Sequence, residues 1–172
     1  QLRAQDVPLA FTGATVIPIR GATISNGVMM IRQGRIVAVG PAGTAIPDGA
    51  TRLDASGKIL MPGLIDTHSH IGGPAGGDSS APIQPETRVI DSLDVRDASL
   101  QRAQARGITV ANIMPGSGHL SSGQTLYVKI RDAGTVEALL ITNKAGRVAG
   151  GLKMANGTNS RYGVSEVWGM LK

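Results

Sequence analysis

A short apolar run that ends in polar residues and two histidines constrains this chain more than any other feature. Residues 64–70 read Leu-Ile-Asp-Thr-His-Ser-His and follow a break at residues 61–63, Met-Pro-Gly. A run that begins apolar and ends polar is typical of a buried parallel strand whose carboxyl end opens into a site. The run therefore predicts a strand with functional side chains at its carboxyl end.

The residues after this strand have the pattern of a βαβ unit. A loop rich in glycine and proline fills residues 71–85, and a helical pattern begins at Asp91, which can cap it. A second apolar strand follows over residues 108–114. The order strand, loop, helix, strand predicts a parallel sheet. A predicted hairpin, formed by residues 126–131 and 135–142, then interrupts this order.

The first 61 residues have a different pattern, of short strands separated by turns. Strands are predicted from Phe11 to Ile19 and on both sides of Gln33-Gly34, which would close a hairpin. Short antiparallel strands over about fifty residues bury little surface by themselves, so this segment needs further strands or a domain to pack on. We therefore expect a small composite β-sandwich domain, residues 1–61, in front of residues 62–172.

His68 and His70 are the candidate metal ligands. Side chains two residues apart on a strand point to the same face, about 7 Å apart, so both imidazoles can converge on one ion. Two neutral histidines in this arrangement can bind Zn²⁺ or a similar divalent metal. The spacing alone leaves a second interpretation open, in which two exposed histidines simply end a strand.

Composition and charge exclude several functions. The chain has no cysteine, which rules out disulfides, thiolate metal sites and thiol nucleophiles. No apolar run approaches the roughly 20 residues of a membrane span, so we expect no integral membrane segment. The formal net charge is +5, but the basic residues are scattered and only 2% of residues are aromatic, which argues against binding to nucleic acid.

The sequence around the two histidines closely resembles the junction in the amidohydrolase superfamily where a small β-sandwich leads into the first strand of a (β/α)₈ barrel. The string that carries this resemblance is residues 54–70, Asp-Ala-Ser-Gly-Lys-Ile-Leu-Met-Pro-Gly-Leu-Ile-Asp-Thr-His-Ser-His. Three further segments resemble the imidazolonepropionase-like branch of this superfamily. They are residues 107–110 (Gly-Ile-Thr-Val), 114–118 (Met-Pro-Gly-Ser-Gly) and 151–159 (Gly-Leu-Lys-Met-Ala-Asn-Gly-Thr-Asn). The resemblance covers roughly residues 10–165.

The resemblance implies an enzyme, a metal-dependent amidohydrolase that cleaves an amide-type C–N bond of a small molecule or short peptide with metal-activated water. It makes His68 and His70 metal ligands from the first barrel strand, with zinc as the expected metal and one or two ions. Asp66 shares their alternation and would orient a ligand, or else be a polar group satisfied inside the barrel. His119 would contact the substrate, or else be a solvated loop residue. The catalytic acid or base has no candidate in this chain.

Some members of this family use a carbamylated lysine as a bridging metal ligand, and the chain offers Lys129 and Lys153. Lys129 alternates with apolar residues, which favours an exposed face of the predicted hairpin. Lys153 has no such pattern, and the sequence selects neither residue.

The chain is shorter than the fold that the resemblance implies. A (β/α)₈ barrel takes roughly 250 residues, more than all 172 residues here, so we expect an incomplete barrel. Its remaining strands and ligands would come from a continuation of the chain or from a second chain, and exposed strand edges favour an oligomer. The alternative is a non-catalytic structural or interaction fragment that needs a complementing chain.

The amino-terminal residues give a hint of cellular location. The chain begins with Gln1, and the small residue in Leu2-Arg3-Ala4-Gln5 fits the tail of a secretory signal, which would make the protein periplasmic or secreted. A disordered terminus of a cytoplasmic protein is the competing interpretation.

Overall fold

The computed structural model describes residues 6–73 and 80–156 of the chain, which are mixed α/β and mostly strands. Among these residues, no helix has the length and apolarity that crossing a membrane requires. The residues behind the export hypothesis, Leu2 to Gln5, lie outside the described residues, and so does the end of the third family-like motif, residues 157–159.

The first of two units, Gln1–Pro62, is a five-stranded sheet built around its first strand. The strands are β1 (Leu9–Val16), β2 (Ile24–Arg32), β3 (Arg35–Gly40), β4 (Thr51–Asp54) and β5 (Ile59–Leu60). β2 is antiparallel to β1 and to β3, whereas β4 and β5 pair with β1 in parallel. The prediction of short strands is confirmed, but two of the pairings are parallel where antiparallel ones were expected.

The predicted hairpin of the first unit is confirmed. Gln33 and Gly34 have φ angles of 51° and 71°, and a two-residue turn with positive φ at both positions matches the twist of the flanking strands. The buried side chains of this unit form two small clusters: Ala10, Val28 and Met30, and Ala14, Val16 and Ala55. Ile36 and Val37 of β3 are more than half exposed. The described residues of this unit therefore leave apolar surface uncovered.

In the second unit, Gly63–Lys172, the described residues form a three-stranded sheet, a two-stranded sheet and one α-helix. Its elements are β6 (Leu64–Ser69), α1 (Ala98–Ala105), β7 (Ile108–Ile113), β8 (Ser121–Gln124), β9 (Leu126–Lys129) and β10 (Leu152–Met154). β6 and β7 pair in parallel with α1 between them in sequence, so the predicted βαβ unit is confirmed. β9 is antiparallel to β7, and β8 is antiparallel to β10.

Helix α1 packs on one face of the three-stranded sheet. Leu100 of α1 lies in a buried cluster with Ala111 and Ile113 of β7, both of which are fully buried. Since successive residues of a strand point to opposite faces, Asn112 of β7 points away from the helix. Tyr127 of β9 is its cross-strand partner and shares that face. The face away from α1 therefore carries the side chains of Asn112 and Tyr127.

The helix begins later than the sequence predicted. Val89–Asp91 form a single 3-10 turn, and α1 follows Asp97, whose Oδ1 accepts hydrogen bonds from the hydroxyl and the backbone N–H of Ser99. These bonds, the hydroxyl first, lower the pKa of the Asp97 carboxyl. The prediction of Asp91 as the cap was wrong because its carboxylate is held by two hydrogen bonds from the Arg88 guanidinium.

Residues 135–142 do not form the second strand of the hairpin that the sequence predicted. In this stretch Leu140 makes an isolated bridge to Val128 of β9. Leu139 is 1% exposed, and its N–H donates to the carbonyl of Val136 in a turn. The apolar residues that suggested a strand instead anchor a turn in the core that they share with α1 and β7.

Candidate functional site

His68 and His70 lie together at the carboxyl end of β6. His68 is within the strand and His70 follows its last residue, and both are exposed. Their ring centroids are 5.1 Å apart and the ring planes meet at 80°. Two imidazoles at this separation can serve as ligands of one divalent ion.

A backbone carbonyl determines which nitrogen of His70 is available. His70 Nδ1 lies 2.9 Å from the carbonyl oxygen of Met114, the residue that follows β7. Because a carbonyl only accepts, Nδ1 carries the proton and donates it, and Nε2 keeps its lone pair. Metal-binding histidines are typically held through their second nitrogen in this way. His70 could therefore bind an ion through Nε2, the nitrogen that this hydrogen bond leaves available.

A buried lysine contacts His68. Lys153 is 8% exposed, and its Nζ is 3.5 Å from His68 Nε2. It reaches this position because β10 pairs with β8, with Lys153 opposite Gly123. Lys129 is exposed at the end of β9. The sequence did not select Lys153 because a three-residue strand carries no periodic signal, and the family-like motif around residues 151–159 was the available indication.

These side chains could supply part of a metal site. A zinc ion takes three or four protein ligands. In the part of the chain that the structure describes, no group of three or more His, Cys, Asp or Glu side chains is placed to hold an ion. The two imidazoles are nitrogen ligands, which suit zinc and similar metals. The donor set fits a divalent metal, with further ligands required from outside these residues.

Asp66 contacts His68 through the backbone. Its Oδ1 accepts a hydrogen bond of 3.0 Å from the His68 N–H. The carboxylate therefore constrains the strand next to the imidazole. That Asp66 orients a metal ligand stays a prediction, and this bond is the contact through which it would act.

The structure buries His119. The residue is 3% exposed and lies between β7 and β8. The interpretation of His119 as a solvated loop residue is therefore wrong, since neighbouring residues cover it. Its contact with a substrate stays a prediction.

Relatives of known name match parts of this sequence. No protein-family model matches the chain. A 5-methylthioadenosine/S-adenosylhomocysteine deaminase of Symbiobacterium thermophilum is 46% identical over 65 residues, which are 36% of this chain and 15% of that protein. An imidazolonepropionase of Stenotrophomonas maltophilia is 49% identical over 49 residues, which are 28% of this chain and 12% of that protein. The matches thus span a small part of each relative.

A solved structure matches nearly the whole chain. The amidohydrolase from Thermotoga maritima aligns with a TM-score of 0.77 and 31% sequence identity. The alignment covers 95% of this chain and 42% of that one, so the chain spans less than half the length of this solved relative. The similarities in sequence and in structure agree, and the chain belongs to the amidohydrolase superfamily.

Proposed function

We propose that the protein containing this chain is a metal-dependent hydrolase that cleaves an amide-type C–N bond of a small molecule or short peptide. The observation that carries the proposal is the pair of imidazoles, His68 and His70, 5.1 Å apart at the end of a parallel strand. Relatives named as a deaminase, an imidazolonepropionase and an amidohydrolase support hydrolysis of C–N bonds.

In this proposal the protein completes a (β/α)₈ barrel behind a β-sandwich domain. Residues 1–61 would belong to the sandwich, and residues 62–172 would supply the first βα units. The alignment that covers 95% of this chain and 42% of the solved amidohydrolase supports further strands outside the chain. Leu64 and Ile65 of β6 are 51% and 61% exposed, as expected of a barrel strand that lacks its second neighbour.

His68 and His70 would hold the metal, with zinc as the expected ion. A bound divalent metal polarises the substrate carbonyl and lowers the pKa of a water molecule toward 7. His70 would bind through Nε2 because its Nδ1 donates to the Met114 carbonyl. His68 would bind through Nε2, the nitrogen that faces Lys153. A carboxylate from the remaining strands would carry the proton to the leaving nitrogen.

Lys153 is the candidate for the carbamylated lysine that some members of this family use. Its contact with His68 Nε2 and its burial support this assignment over Lys129, which is exposed. The deprotonated Nζ would add to the carbon of CO₂, forming an N–C bond and releasing a proton. The resulting carbamate offers two oxygens in place of one nitrogen, which adds oxygen ligands to the two imidazoles.

The metal content of the native polypeptide tests this proposal. His68→Ala and His70→Ala should each lose most of the bound metal with the fold retained, because each removes a nitrogen ligand. Thr67→Ala is the matched control and should keep the parental metal content, since it changes the same strand but removes no nitrogen ligand. Elemental analysis and circular dichroism measure both quantities. Equal metal in the parent and in the two histidine variants would refute the proposal.

A non-catalytic role is the alternative, and one observation favours it. The described residues bring together no group of three His, Cys, Asp or Glu side chains suited to an ion. The chain would then be a structural or interaction fragment completed by another chain. This alternative predicts a stable parent protein that binds no more metal than His68→Ala and hydrolyses no amide substrate.

A further inference from the structure

The peptide group that joins Thr67 to His68 is held by two side chains, one on each side. Its N–H, which belongs to His68, donates to Asp66 Oδ1 at 3.0 Å. Its carbonyl, which belongs to Thr67, accepts a hydrogen bond of 3.3 Å from Asn112 Nδ2. Asp66 lies on the same strand as this peptide, whereas Asn112 reaches it from β7. The two side chains together fix the plane of the peptide that carries the His68 side chain.

This peptide lies where the pairing of β6 with β7 slips. Asp66 pairs with Ala111 and Ser69 pairs with Ile113, so three residue steps of β6 face two of β7. An extra residue of this kind bends the strand and turns a side chain to a new direction, and such irregularities are frequent next to active sites. The direction of the His68 ring therefore depends on how this irregular segment is held.

The side chain of Asn112 holds this segment but also lowers the stability of the folded state. Its Oδ1 is buried and has no hydrogen-bond partner among the described residues. A buried acceptor without a partner destabilises the folded state, so an apolar residue of similar size would remove this penalty together with the bond to the Thr67 carbonyl. The contribution of the Asn112 amide is thus its bond to the Thr67 carbonyl.

We propose that Asp66 and Asn112 are positioning residues that act as a pair, holding the Thr67–His68 peptide so that the imidazole of His68 points into the metal site. The inference rests on the proposed function, in which His68 is a metal ligand. Residues that hold a metal ligand in place typically change metal affinity by about tenfold or more when they are replaced.

The test compares variants of the native polypeptide with Co²⁺ as the probe. Asn112→Leu removes the donor together with the unpaired acceptor, and Asn112→Asp is the isosteric second variant. Asp66→Ala removes the acceptor for the His68 N–H, and Asp66→Asn restores one. Thr109→Val is the matched control, because Thr109 Oγ1 donates to the Leu64 carbonyl at 3.4 Å across the same two strands. Co²⁺ affinity by absorption titration, the Tm, and the hydrogen exchange of the His68 amide in metal-free protein are measured.

We expect both Asn112 variants and Asp66→Ala to weaken Co²⁺ binding about tenfold or more and to speed exchange of the His68 amide. Asn112→Leu should do so without a lower Tm than Thr109→Val, and Asp66→Asn should recover the affinity lost in Asp66→Ala. Affinity and exchange that match those of Thr109→Val would overturn the inference. If His68→Ala binds Co²⁺ as the parent does, the proposed function fails. The positioning role is then judged by the amide exchange alone.

Discussion

At the scale of residues, single hydrogen bonds determine what the two histidines can do. The Met114 carbonyl keeps the proton on His70 Nδ1, so a backbone group orients that ring. His68 Nε2 instead meets the side chain of Lys153. The two histidines therefore have partners of different kinds, a backbone carbonyl for His70 and a side chain for His68. Of these two partners, the Lys153 side chain is the one that a substitution can remove.

Replacing the two candidate lysines separates their roles. Lys153→Met keeps the length of the side chain and suits a buried position, because methionine adapts to irregular apolar space. We expect it to weaken metal binding about tenfold or more, as loss of a ligand or its support does. Lys129→Met changes an exposed residue and should leave binding unchanged. Isothermal titration with Zn²⁺ measures both, and equal affinities in the two variants would count against Lys153.

At the scale of elements, the pairing of β8 with β10 brings Lys153 to His68. Gly123 of β8 is the cross-strand partner of Lys153. Gly123 has a φ of +116°, and a Cβ there would lie 2.3 Å from the carbonyl oxygen of Thr87. A residue with a side chain cannot take this position without moving the backbone. The position of Lys153 thus depends on a glycine that has no side chain to offer as a ligand.

Alanine at this glycine should disturb the site without removing any of its side chains. We expect Gly123→Ala to cost about 1 kcal/mol or more of unfolding free energy, because the φ is strained and the Cβ meets backbone. It should also weaken metal binding by displacing Lys153. Gly134→Ala is the control, since a Cβ at Gly134 meets open space. Urea denaturation and metal titration measure the two effects, and a Gly123→Ala protein that behaves like Gly134→Ala would contradict this account.

At the scale of the whole molecule, each unit exposes apolar residues on its strands. In the first unit these include Ile36 and Val37 of β3, and in the second they include Leu64 and Ile65 of β6. Apolar side chains gathered on a strand favour pairing with another element. A barrel completed from outside this chain would cover β6.

Truncation of Ile65 tests whether the native polypeptide covers β6. If further barrel strands pack on it, Ile65→Ala should cost about 2–5 kcal/mol, as expected for a core isoleucine. Ile113→Ala serves as the benchmark, because Ile113 is fully buried within this chain. Denaturant unfolding of the native polypeptide gives both values. A cost within about 0.5 kcal/mol for Ile65→Ala is typical of a surface position and would speak against barrel closure.

The sequence by itself determined the elements that local patterns encode. β6, β7 and the hairpin of β2 and β3 follow from apolar runs bounded by glycine and proline, and each run contains its own signal. The closeness of His68 and His70 follows in the same way from the two-residue repeat of a strand. The sequence pattern placed the start of α1 too early, at Asp91. The Asp91 carboxylate accepts hydrogen bonds from Arg88 instead of capping the helix, and the pattern did not indicate that pairing.

Only the tertiary structure decided which distant residues lie beside His68. Lys153 contacts a residue 85 positions away, and Asn112 reaches across 45 positions to the Thr67 carbonyl. The burial of His119 likewise results from packing around its segment. A local sequence pattern carries information about residues within one helical turn or one strand repeat. These contacts instead form between residues that the pairing of separate strands brings together. The physical reason is that strand register, which sets such contacts, is fixed by the packing of the whole sheet.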